Sequence, residues 1–163
     1  MAEAKSGEAK ERGANVRIPP PVVPVVLLVF ALVLDAVAAP LGLAPFGLAR
    51  WAGGGVLTAA GIGLLAAAGG LFRKTGQDPK PWEPAPELIV EGIYRITRNP
   101  MYVGFGAMQA GLGMLFESYL PGLLVPLTWW IIYLIAIRHE EAYLREKFGA
   151  EYEAYFGRVR RWL

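Results

Sequence analysis

The sequence predicts an all-α, polytopic membrane protein, with about four transmembrane helices in one domain followed by a C-terminal cytoplasmic amphipathic helix. Three observations carry that expectation. Of the 163 residues, 55% are hydrophobic and 20 are glycine, with a mean hydropathy of +0.38, a composition more apolar than that of ordinary soluble domains. Four apolar runs, near residues 21–39, 51–72, 101–116 and 120–137, each approach the ~20 residues that cross a hydrocarbon core. Finally, every Lys and Arg except Arg50 lies before the first run, between the second and third, or at and beyond the end of the fourth. In a four-span topology those places share one side, so both termini and the central loop are expected in the cytoplasm.

Residues 1–18 are polar and mixed in charge. They lack the basic start and short apolar core of a cleavable signal peptide, and read as a disordered cytoplasmic tail. Pro19, Pro20, Pro21 and Pro24 open the first span. Asp35 lies near its far end, where an acid is a functional suspect by default, but closeness to the interface favours a structural reading. Pro40 and Pro45 mark an exterior loop. The second span is dense in small residues, from Gly53 through Gly61 and Gly63 to Gly70; such spacing lets helix backbones approach in lipid and predicts packing over most of its surface. A glycine-rich nucleotide loop is excluded, because no strand or βαβ context accompanies it.

Pro79, Pro81, Pro84 and Pro86 forbid a helix in the central loop and favour an extended path across the membrane face, with Trp82 as an interfacial anchor. The stretch Gly92-Ile93-Tyr94-Arg95-Ile96-Thr97-Arg98-Asn99-Pro100-Met101-Tyr102-Val103-Gly104 comes next. Pro100 suits a first helical turn and biases Asn99 to an extended conformation. Arg98 and Asn99 are therefore expected at a helix mouth, with Tyr102 just inside. Unpaired N–H groups and two arginines suit a carboxylate or phosphate there, although an isolated Arg-x-Asn-Pro also reads as a juxtamembrane basic anchor. Glu117-Ser118-Tyr119 with Pro121-Gly122 predicts a very short exterior turn. The resulting hairpin would bring Arg138, His139, Glu140 and Glu141 beside Arg98, Asn99 and Tyr102.

Glu140 to Gly149 reads as an amphipathic helix with Leu144 and Phe148 on one face, and Glu141 could pair with Arg145 at i, i+4. The aromatic and basic residues from Tyr152 to Trp162 are expected on the membrane surface or folded back as a cover. With no cysteine and one histidine, His139, neither thiolate chemistry nor a metal site is expected. The net charge of +2, spread along membrane edges among acids, argues against nucleic acid. A ligand with a carboxylate, an ammonium and a positive centre would complement the constellation; S-adenosylmethionine is one candidate among several anionic or zwitterionic ligands.

The Gly92–Gly104 stretch, together with Glu140-Glu141, Leu144, Phe148-Gly149, Tyr152, Tyr155, Val159 and Arg161, resembles the isoprenylcysteine carboxyl methyltransferase and phospholipid methyltransferase superfamily. The likeness extends over about residues 75–163 and implies a single membrane-embedded methyltransferase domain at 19–163, with its catalytic half at 75–163. It implies methyl transfer from S-adenosylmethionine, leaving S-adenosylhomocysteine, to a lipophilic acceptor at the cytoplasmic face: an isoprenylcysteine-type carboxylate or a lipid amine. Arg98, Asn99, Pro100 and Tyr102 match the family's Arg-His-Pro-x-Tyr cofactor motif, Glu140 and Glu141 match its Glu-Glu pair, and His139 adjoins that pair as a further cofactor-binding candidate. Asn99 stands where the family often has histidine; it can hydrogen-bond but cannot titrate. As catalytic residues, Arg138 would hold a carboxylate acceptor, and Glu141 or Glu140 would take the proton of an amine. Membrane lipids are the implied surroundings. A NADPH-dependent membrane sterol or steroid-type reductase and a non-catalytic small membrane protein are the alternative readings, and the identity of the acceptor and the oligomeric state stay open.

Overall fold

The computed structural model describes residues 13–37 and 46–163. Most of the expected tail, and Pro40 and Pro45, lie outside the described residues. Among the described residues the architecture is helical, with no named strand and an isolated bridge between Thr97 and Arg160. The helices are α1 (Val22–Val37), α2 (Gly55–Lys74), α3 (Pro100–Leu115), α4 (Leu120–Leu123), α5 (Val125–Ile132), α6 (Arg138–Phe148) and α7 (Ala150–Arg158). Five-residue π-helical turns at Arg50–Gly54 and Tyr133–Ile137 lead into α2 and α6, and a 3₁₀ turn occupies Gly92–Arg95.

The chain divides into two compact units. One holds residues 66–100 and 133–163 together with residues 13–19, and the other holds residues 20–65 and 101–132 within the described range. In the second unit, α1 packs against α4 and α5. Its buried residues are Val23, Pro24 and Ala31, while Val25, Val26, Val29, Phe30, Val33 and Val37 are more than half exposed. So much uncovered aliphatic surface on one helix suits lipid rather than water. Helices α2 and α3 meet through glycine. A Cβ on Gly61 would lie 2.5 Å from the Gly104 carbonyl oxygen, and one on Gly111 would lie 2.5 Å from Thr58 Oγ1, an approach that only a missing side chain permits. Gln109 is 2% exposed; its Nε2 donates to the Pro121 carbonyl at 2.8 Å and its Oε1 accepts from Thr128 at 2.7 Å. Both polar ends of a buried amide are thus satisfied, as an apolar interior demands. Arg50 pairs with Glu117 at 2.8 Å.

The residues 50–74 form a helix long and apolar enough to cross a membrane, and 11% of its apolar window is buried. The expectation of packing over most of that surface is therefore corrected: Gly54, Thr58 and Gly61 face α3, whereas Gly63, Gly69 and Gly70 face nothing within 4 Å. Helix α1 is apolar but shorter. The fourth predicted run is segmented rather than one helix, because it passes through α4, α5 and a π turn. Pro121 and Pro126 lack the N–H that an unbroken helix would use. The short turn falls at Glu117, with φ of 58°, inside the predicted Glu117-Ser118-Tyr119 stretch, whereas Pro121 and Gly122 belong to α4 rather than to the turn.

Candidate functional site

Local sequence sets the site's backbone in the first unit. The end of α2 is closed by Gly76, at φ of 68°, with the Gln77 N–H donating back to the Phe72 carbonyl at 2.8 Å. The proline-rich segment after it carries no helix, as its missing donors dictate. Gly92 takes φ of 57°, a conformation costly for residues with a Cβ, and opens the 3₁₀ turn that presents Tyr94. Pro100 then begins α3, as its fixed φ and absent N–H predict. Thr97 and Asn99, both buried, are tied to the chain's end. Thr97 Oγ1 and Asn99 Nδ2 each donate to the Arg161 carbonyl at 3.0 Å, and the Arg98 N–H donates to the Arg160 carbonyl at 2.9 Å. The last residues thus form a strap along the Thr97–Asn99 backbone.

From the other side come the π turn and α6. A π turn inserts a residue relative to an α-helix and shifts the register of the helix after it; here it immediately precedes Arg138. Helix α6 ends at Gly149, with φ of 51°, and the chain reverses into α7. That reversal buries Tyr152 and Tyr155 and seats Phe156 under Arg98, whose guanidinium carbon lies 3.7 Å from the ring centroid. Of the two placements expected for the aromatic tail, on the membrane surface or folded back as a cover, the contacts of Tyr152, Tyr155 and Phe156 within this unit fit the second.

Glu141 is the electrostatic centre. Arg161 grips it with a two-pronged fork, Nε to Oε1 at 2.9 Å and Nη2 to Oε2 at 3.0 Å. Arg98 Nη2 approaches the same Oε1 at 3.5 Å, and the Arg98 and Glu141 side chains are 8% and 9% exposed. Arg98 Nε and Nη1 are buried without a hydrogen-bond partner among the described residues. Such a group costs about 1–3 kcal/mol or more if left unmet, so these N–H groups are an unfilled binding capacity for an anion. Arg145, expected to pair with Glu141, instead donates to Glu153 at 2.8 Å.

A cavity of about 100 Å³ opens beside these charges. It is lined by Phe72 and Gln77 from the end of α2, by Ala85, Glu87, Leu88 and Ile89, by Tyr94, Arg98 and Asn99, and by Glu140, Glu141, Leu144, Tyr152 and Tyr155. The Ala85 end of the loop is fixed by its N–H, which donates to the Tyr143 hydroxyl at 3.0 Å. Burial raises the Tyr94 and Tyr155 phenols above their ordinary range, and the Tyr155 hydroxyl donates to the Tyr94 carbonyl at 2.8 Å. Both phenols therefore stay neutral through the physiological range. Because the folded state holds these protons more tightly than the unfolded chain, they leave stability independent of pH below ~10 and reduce it above, by up to ~1.4 kcal/mol per pH unit for each phenol. Alkaline unfolding monitored by circular dichroism is expected to begin near that pH and to be delayed in Tyr94→Phe.

The cavity brings together Arg98, Asn99, Glu140 and Glu141, four of the residues singled out from sequence. Arg138 is exposed, its Nε lying 3.4 Å from His139 Nε2, and neither residue lines the cavity. Pro100 serves as the helix start, and Tyr102 belongs to the second unit, where its carbonyl accepts the Trp129 indole N–H at 2.9 Å. Gln77 and the Ala85–Ile89 wall are site residues that the sequence does not announce, and Tyr94 lies in the Gly92–Gly104 stretch without being singled out there. The only signal for Tyr94 is its place four residues before Arg98, and a proline-rich loop gives no periodicity from which to read an inward side. Among the described residues no cluster of three metal-ligating side chains occurs.

Comparison with known proteins places the sequence in a family. The sequence profile of a family described as "Phospholipid methyltransferase" matches residues 46–151, well over half of the chain. A protein-S-isoprenylcysteine O-methyltransferase of Schizosaccharomyces pombe is 40% identical over 72 residues, covering 44% of this chain and 30% of that protein. A probable protein-S-isoprenylcysteine O-methyltransferase of Oryza sativa subsp. indica is 35% identical over 78 residues, covering 48% of this chain and 41% of that protein. Protein-S-isoprenylcysteine O-methyltransferase B of Arabidopsis thaliana is 32% identical over 73 residues, covering 45% of this chain and 37% of that protein. Each match thus spans less than half of the relative.

Proposed function

We propose that this chain, which belongs to the phospholipid methyltransferase family, is an integral-membrane enzyme that transfers a methyl group from S-adenosylmethionine to a lipophilic acceptor. The observation that carries the proposal is the buried Arg98, with two unmet N–H groups beside a carboxylate pair in one cavity. A zwitterionic amino-acid moiety answers both. Its carboxylate would accept from Arg98 Nε and Nη1 and from the second N–H of the Asn99 amide, whose first is held by the Arg161 carbonyl, and its ammonium would lie toward Glu140. The apolar wall of Phe72, Leu88, Ile89 and Leu144 suits the remainder of the donor, and the neutral Tyr94 ring offers a face to a positive centre. The ~100 Å³ falls short of the ~300–1,000 Å³ of a drug-sized ligand site, so the whole donor enters only if the site widens.

The bound donor supplies a methyl group already activated by positive sulfur. What the chain adds is alignment and exclusion of water, which together contribute up to ~7–11 kcal/mol. Arg98 and Asn99 fix the donor's amino-acid end. For a carboxylate acceptor no base is needed; Arg138, exposed three residues before Glu141 on the same helix, holds it. For an amine acceptor Glu140, which lines the cavity, takes the proton. The names of the relatives favour an isoprenylcysteine-type carboxylate and the family description favours a lipid. The uncovered aliphatic surface of α1 and the long apolar α2 support entry of such an acceptor from the bilayer. The distribution of basic residues supports a cytoplasmic site.

Purified protein in lipid vesicles is incubated with methyl-labelled S-adenosylmethionine, a farnesylated cysteine analogue and a total lipid extract. Label is expected in the organic phase, released as methanol by mild base if the acceptor is a carboxylate and retained if it is an amine. Absence of organic-phase label, with retention of NADPH in its place, contradicts the proposal.

A further inference from the structure

The fork that Arg161 makes on Glu141 solves a problem that the site would otherwise have. Arg98 and Glu141 are both buried, and the nearest atoms already lie 3.5 Å apart. Left to themselves, a guanidinium and a carboxylate at that distance close into a bidentate pair, which would turn two of the Arg98 N–H groups to an internal partner. Instead both Glu141 oxygens accept from Arg161, at 2.9 and 3.0 Å, a bidentate fork that fixes the orientation of the carboxylate while Arg98 stays at 3.5 Å. Arg161 is held independently of Glu141: its carbonyl receives Thr97 Oγ1 and Asn99 Nδ2, and its guanidinium carbon rests 4.9 Å from the Tyr133 ring centroid, in the π turn. The same Thr97–Asn99 segment that carries Arg98 thus anchors the residue that fixes the Glu141 carboxylate beside it.

We infer that Arg161 is a positioning residue of the donor site: by holding Glu141 it keeps Arg98 Nε and Nη1 available to the donor's carboxylate. The inference rests on the donor assignment above and adds a cause for it. Substituting the Arg161 side chain leaves the backbone anchors of the strap in place, so the effect on binding can be separated from loss of the strap. It is also specific to the ligand: a donor analogue without the carboxylate makes no use of what Arg161 preserves.

The test is calorimetric binding of S-adenosylhomocysteine and of its decarboxylated analogue to the full chain in detergent. In Arg161→Ala, affinity for S-adenosylhomocysteine is expected to fall about tenfold or more, the value of one charge-assisted hydrogen bond, while affinity for the decarboxylated analogue changes less than about twofold. Arg161→Lys, which supplies charge but no fork, is expected to fall between wild type and Arg161→Ala, and it carries the test should the alanine variant not fold. Equal affinity of wild type and both variants for S-adenosylhomocysteine overturns the inference, as does an equal loss for both ligands, which would mark a merely structural role. Failure of the wild-type protein to bind S-adenosylhomocysteine is a different result: it overturns the donor assignment itself.

Discussion

Arg98→Ala is expected to weaken S-adenosylhomocysteine binding by about 100-fold, corresponding to the loss of about 3 kcal/mol from charge-assisted contacts in a buried site. The protein should still fold, because Glu141 keeps both hydrogen bonds from Arg161 and no carboxylate is left buried alone; the loss of the contact with Phe156 costs about 1–2 kcal/mol. Glu141→Gln differs in kind. It leaves the buried Arg98 and the half-buried Arg161 without their shared anion, so resting stability drops as well as binding. A thermal-shift titration separates the two: at ligand 100-fold above Kd the wild type gains about 2.7 kcal/mol, and both variants should lose most of that gain. Unchanged ligand-dependent stabilisation in both would remove these two residues from the site.

Gly111→Val is expected to prevent stable packing within the second unit. A Cβ there would meet Thr58 Oγ1 at 2.5 Å, the Thr58 nitrogen at 2.6 Å and the Gly54 carbonyl oxygen at 2.8 Å. Two of the three are backbone atoms that cannot rotate aside, so the helices must separate, and the cost exceeds the ~1–3 kcal/mol of ordinary overpacking. Gly63→Ala is the matched control. Nothing lies within 4 Å of its Cβ, and the helix-propensity gain of up to ~1 kcal/mol should leave the protein equally or more stable. Folded yield and melting temperature in detergent check both. If the two variants behave alike, the close approach of α2 and α3 is not what holds the unit.

What was legible in the sequence was written in local rules. Pro100 at a helix start, prolines that forbid a helix between Pro79 and Pro86, and Gly149 after α6 each act through their own backbone geometry, so no knowledge of neighbours is needed. The meeting of Arg98 and Asn99 with Glu140 and Glu141 was also legible, because a short connection between two apolar runs leaves few alternatives. The rest depended on burial. Helical spacing offers Arg145 to Glu141, but Glu141 faces inward and takes its partner from the chain's end, where a guanidinium reaches it through the interior. Small residues in and just before α2 told of close packing without telling which side is packed: Gly54 and Gly61 face α3 while Gly63 does not. The segmentation of the fourth run was visible only as Pro121 and Pro126, which a count of apolar residues passes over.

Photolabelling places the donor directly. Ultraviolet irradiation of the wild-type protein with methyl-labelled S-adenosylmethionine, then peptide mapping, is expected to put label on the segments carrying Tyr94 and Tyr152–Tyr155, whose rings line the cavity, and Arg98→Ala should abolish it. Label confined to residues 50–65 or 101–132, or label undiminished in Arg98→Ala, would contradict the account of a donor held by Arg98 beside the glutamate pair.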